Sequence, residues 1–102
     1  MSLSHLADYP DDWKPTARDD VDVRSTGDQR MLYDRKRDRI HVLNETAEFI
    51  WLRCDGKHTL GDLADGIRRC FDVPQRADVK ADVERVIGAM LRKDLLMPIP
   101  GH

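Results

Sequence analysis

Apolar positions along the chain change their period once, near residue 44, which divides the sequence into a strand half and a helical half. Before that point Val21 and Val23 alternate with Asp20 and Asp22, and Met31 and Tyr33 with Arg30 and Leu32. Ile40 and Val42 alternate with Arg39, His41 and Leu43. Period two among β-branched and aromatic residues marks a strand, because successive side chains point to opposite faces. The connections Ser25-Thr26-Gly27-Asp28 and Asp34-Arg35-Lys36-Arg37-Asp38 are short enough for hairpins. A three-stranded antiparallel meander is predicted.

After Leu43 the apolar spacing becomes helical. Asn44 is a good N-cap, Glu45 suits the positive end of a helix, and Ala47, Ile50, Trp51 and Cys54 share one face. Asp55-Gly56 is a fitting stop. Thr59 then caps a second helix, with Asp62 three residues on and Leu60, Leu63, Ala64, Ile67 and Phe71 inward, ending before Pro74. Asp78 opens a third, longer helix that turns Val79, Val83, Val86, Ile87, Met90 and Leu91 inward and charged residues outward. Leu95-Leu96-Met97 reads as a short closing strand or extended tail. Strands followed by helices predict an α+β fold, not a parallel α/β one.

Composition narrows the class. With 102 residues, 40% hydrophobic and 35% charged, the chain has room for one soluble domain. The start has no basic segment followed by an apolar run, and no stretch approaches a membrane span, so a cytoplasmic protein is expected. Residues 1–17 are polar, acidic and broken by Pro10 and Pro15, and are expected to form a flexible tail. Cys54 and Cys70 have no CxxC partner and fall on apolar stripes, so both are expected as reduced core residues.

Candidate chemistry is sparse. There is no nucleophile elbow, phosphate loop or HExxH, and His5, His41, His58 and His102 lack triad or metal-site spacing. No enzyme, cofactor or metal is expected. Carboxylates read as solvated or capping groups. The order of elements also suits a winged helix-turn-helix regulator of DNA. In the helix that would read the groove, however, Asp78, Asp82, Glu84 and Asp94 cancel Lys80, Arg85, Arg92 and Lys93. Strand addition fits better. The third strand, Arg39 to Leu43, lies at an edge of a meander, where an extended peptide can pair with it or a second copy can dimerise.

The segment from Val42 to Leu63, VLNETAEFIWLRCDGKHTLGDL, resembles the PqqD family, named for a protein of pyrroloquinoline quinone biosynthesis. The resemblance rests on Leu43-Asn44, Thr46-Ala47, Ile50-Trp51, Cys54-Asp55-Gly56 and Thr59-Leu60, and spans residues 18–97, leaving 98–102 as a C-terminal tail. It implies a winged-helix-like RiPP recognition element, the domain that binds the leader of a ribosomally made precursor peptide. Such a domain presents the precursor to a modifying enzyme, in the founding pathway a radical S-adenosylmethionine enzyme. By the same resemblance the leader pairs with the third strand and lies between it and the third helix. Arg39, Ile40, His41, Val42 and Leu43 would form one wall, and Val79, Lys80, Val83, Val86 and Met90 would supply candidates for the other.

Overall fold

A computed structural model describes residues 9–74 and 78–99. Strands β1 (Val21–Thr26), β2 (Gln29–Asp34) and β3 (Arg39–Leu43) precede helices α1 (Glu45–Leu52), α2 (Leu60–Cys70) and α3 (Val79–Arg92). The sheet is the antiparallel meander β1-β2-β3. A three-stranded sheet followed by three helices is the α+β arrangement that the periodicities imply.

Local chemistry accounts for the element boundaries. Gly27 has a positive φ of 57°, which lets the two-residue turn Gly27-Asp28 close β1 onto β2 without a Cβ clash. In the turn between β2 and β3, the Asp34 carboxylate accepts from the backbone N–H groups of Lys36 at 3.0 Å and Arg37 at 3.2 Å. Each helix has a side-chain cap. Asn44 accepts from the N–H of Ala47 at 2.8 Å and Asp78 from that of Ala81 at 3.1 Å. Thr59 and Asp62 form a reciprocal capping box. The first helix stops earlier than Asp55-Gly56 suggests, with Arg53 as its C-cap; Gly56, at φ 79°, serves the loop beyond.

The core lies between one face of the sheet and the three helices. Leu32 reaches it from β2, Ile50 and Trp51 from α1, Leu63 and Ile67 from α2, and Val83 and Ile87 from α3. Full burial of one such side chain contributes about 1.5–3 kcal/mol, so the helical stripes carry most of the stability. Leu95 and Leu96 close the bottom of the core.

Three findings differ from expectation. Residues 9–17 are not a free tail: Trp13 is buried in the core and stacks on Tyr9, and Pro15 is buried. Thr16 bridges to Asp55 and Ala17 to Leu96, with the Ala17 N–H donating to the Cys54 carbonyl at 2.8 Å. Burial of one indole and three main-chain bonds, which tie Pro15, Thr16 and Ala17 to the fold, outweigh the polar composition around them. Residues 1–8 and 100–102, with His5 and His102, lie outside the described residues. Cys70 is exposed at the last turn of α2, whereas Cys54 is buried and its thiol is pushed up to about 12 by burial. Asp34, finally, is a fully buried carboxylate, whereas the carboxylates read as solvated or helix-capping groups.

Candidate functional site

Strand register decides which main-chain groups of the sheet are free. The two-residue turn makes Thr26 and Gln29 a hydrogen-bonded pair, and such pairs recur at every second residue of an antiparallel ladder. At the far end of the hairpin the Arg35 N–H donates to the Asp20 carbonyl at 3.0 Å, which gives the same phase. Gln29, Met31 and Tyr33 therefore bond to β1, and the main-chain groups of Arg30, Leu32 and Asp34 turn the other way, to Leu43, His41 and Arg39 of β3. It follows that the N–H and C=O of Ile40 and Val42 point away from the sheet. Their side chains are each 62% exposed, so both the main chain and the side chains of these residues face outward.

Beside this edge is a cleft of about 270 Å³ lined by Arg37, Arg39, His41, Arg92, Lys93 and Asp94. The hairpin and β3 supply one wall and the end of α3 the other. Helical spacing puts Asp82, Val86, Ala89 and Lys93 on one flank of α3, at intervals of three or four residues. Val86 and Ala89 are half-buried on this flank.

An ion network fastens the two walls. The Arg18 guanidinium donates to Asp20 at 2.7 Å and reaches Asp34 at 3.4 Å. Arg37 reaches Asp34 at 3.5 Å and also pairs with Asp94, just past α3. Burial alone would raise the Asp34 carboxyl. The backbone N–H of Arg37, the Arg18 charge and the N–H of Lys36 outweigh it and hold the group below its ordinary value. His41 shifts the other way for a base. Burial lowers its pKa, the neighbouring cations Lys93 and Arg39 lower it further, and Asp34 offsets part of this.

The candidate residues fall in four different places. Arg39 and His41 line the cleft, Leu43 is half-buried on the same face of β3, and Ile40 and Val42 form the free edge. Val79, Val83 and Met90 are buried in the core, which removes them from direct contact; their apolar stripe is spent on α1 and α2. Lys80 lies on a different face, lining a depression with Tyr9, Thr59 and Glu84. Val86 is half-buried and shares the flank of α3 that ends in Lys93, a cleft-lining residue. Arg92 and Lys93 were not singled out. Their charge was visible, but nothing local in the sequence places the end of α3 against the turn after β2. Among the described residues, no group of three or more His, Cys, Asp or Glu could hold a metal ion. No described helix is long and apolar enough to cross a membrane.

A three-stranded sheet backed by three helices, with its edge strand β3 bordered by a charged cleft, defines an α+β class of domain. The chain belongs to the PqqD family, described as Coenzyme PQQ synthesis protein D (PqqD), which matches residues 29–96. Two solved structures share its fold. One is described as a lasso peptide synthetase B1 complexed with the leader peptide: 22% identity, TM-score 0.71, covering 83% of this chain and 99% of that one. The other is TbiB1 in complex with the TbiA(beta) leader peptide: 20% identity, TM-score 0.67, covering 85% and 96%. A search of curated proteins finds no match to the chain.

Proposed function

We propose that this protein is a non-catalytic adaptor that binds the leader of a ribosomally made precursor peptide by strand addition to β3. The observation that carries this reading is the outward-pointing main chain of Ile40 and Val42 beside a cleft. A peptide laid along that edge gains hydrogen bonds without breaking any in the sheet, and side chains on one of its faces enter the cleft. Family membership and two neighbours of the same fold bound to leader peptides support it. In this reading Arg39, Ile40, His41, Val42 and Leu43 contact the leader, joined by Val86, Ala89 and Lys93. Val79, Val83 and Met90 support the wall from behind.

The partner enzyme follows from the pathway. In pyrroloquinoline quinone biosynthesis it is a radical S-adenosylmethionine enzyme; in a pathway like that of the neighbours it would be a lasso peptide synthetase component. The adaptor would act in the cytoplasm, where precursors are made. A second copy of the chain is a competing occupant of the same edge, and leader binding should dissociate such a dimer.

DNA binding is disfavoured on α3, where Arg85 is paired with Asp82 and Glu84 lines the same depression as Lys80, so that the basic residues beside the cleft, Arg92 and Lys93, gather at one end of the helix. Titration calorimetry with synthetic leaders from short reading frames beside the gene tests the proposal. Selective binding of one leader at micromolar affinity or better is expected. Equal, weak binding of all of them would overturn it.

A further inference from the structure

We propose that the cleft selects leaders in which an aliphatic residue is followed four positions later by Asp or Glu, whose carboxylate is held by Arg39 and Lys93 beside His41. This rests on the strand-addition reading and deepens it by naming the chemical class of the peptide.

The geometry of pairing sets the spacing. Residues opposite one another in an antiparallel ladder place their side chains on the same face. Peptide residues opposite Ile40 and Val42 therefore turn toward the outer face, beside those exposed side chains and the half-buried Met31 and Tyr33. Those opposite Arg39, His41 and Leu43 turn into the cleft. Leu43, on the same face of β3 as His41 and Arg39, and Val86, two turns before Lys93 on the same flank of α3, both pack against the core and are the apolar residues that continue the two walls. Arg39, Arg92 and Lys93 make the other end cationic. An antiparallel peptide runs from Leu43 toward Arg39, so its aliphatic residue comes first and its acid four residues later.

Charge at the cationic end is not balanced within the fold. The cleft is lined by four cations and one carboxylate, Asp94, which is already engaged by Arg37 and Arg18. Among the described residues, no carboxylate lies within ion-pair distance of Arg39, Arg92 or Lys93. His41 lies among these cations, and burial together with the charges of Lys93 and Arg39 lowers its pKa. An incoming carboxylate relieves the mutual repulsion of the cations and forms charge-assisted hydrogen bonds with Arg39 and Lys93. Neutral or basic side chains at that position leave the cations uncompensated.

The experiment uses the purified full chain and synthetic leaders from the reading frames beside its gene. Each Asp and Glu of a binding leader is changed singly to Asn or Gln, and each aliphatic residue to Ala. One acid is expected to matter by about tenfold in Kd, with an essential aliphatic residue four positions before it. Arg39→Glu should lose the same factor, and changing the essential acid to Lys should restore binding to that variant alone. Arg39→Gln, at the same exposed position, should be intermediate. A leader that binds but responds to no acid substitution, or whose essential acid has no such aliphatic partner, would overturn this inference and leave the adaptor reading intact. Failure of every leader to bind would overturn both.

Discussion

Arg37, in the turn between β2 and β3, is ion-paired with Asp94, which follows the C-cap of α3 in a left-handed conformation at φ 59°. The pair joins the two walls of the cleft at one end. Arg18 reinforces it from below by donating to the main-chain carbonyl of Asp94. A charged clasp thus joins the hairpin to the end of α3 at this end of the groove.

Substitution at Asp94 separates backbone from charge. Asp94→Ala loses the pair and keeps the left-handed Cβ strain that the natural residue already bears, costing up to about 1 kcal/mol. Asp94→Gly loses the same pair but relaxes the backbone and should be nearly neutral. Urea unfolding of the two variants checks the order.

Acid should act through Asp34. Its folded pKa lies below the ordinary 3.8, so its ionisation stabilises the fold above that value and the contribution is lost as pH falls further. Asp34→Asn should flatten the stability profile in that acid range. It should also lower Tm at neutral pH, because Arg18 and Arg37 lose the buried carboxylate between them. Melting curves across pH measure both effects.

His41 should titrate below the usual 6.5, since burial and the charges of Lys93 and Arg39 resist its protonation more than Asp34 favours it. Below about pH 6.5 the unfolded chain then binds more protons than the folded one, so stability falls as pH drops. An acidic leader residue in the cleft should raise this pKa. NMR titration of the imidazole with and without leader reads the shift.

Capping gives a control on stability alone. Asn44→Ala removes the bond to the Ala47 N–H and should cost about 1 kcal/mol. Leader affinity of the folded protein should be unchanged, because the cap lies beyond the free edge.

Much of this fold is legible locally. Asn44, Thr59 and Asp78 declare helix starts through side-chain chemistry that needs no distant partner, and all three cap as their neighbours suggest. Strands were equally plain, but which face of β2 turns inward was not: Leu32 is buried while Met31 and Tyr33 face out, a choice made only when helices cover one side. Trp13 is the opposite case. Its polar surroundings hide a residue whose burial depends on Cys54, Asp55 and Leu96, about forty and eighty positions away. The cleft was half visible. The strand wall is contiguous in sequence, whereas Lys93 joins Arg39 only because α3 ends against the hairpin. Val79, Val83 and Met90 illustrate a related limit: one apolar stripe does not reveal how much of it the core consumes.

Proline substitution at Val42 tests the central claim most directly. The Val42 N–H points off the free edge, so Val42→Pro should leave the sheet paired and the protein folded, as proline on an edge strand does. His41→Pro, which removes a donor to β2, should instead destabilise the fold. Calorimetric titration of folded Val42→Pro with a leader that binds the natural chain should show an affinity loss of at least about tenfold. Unchanged affinity in a folded Val42→Pro protein would contradict strand addition at β3.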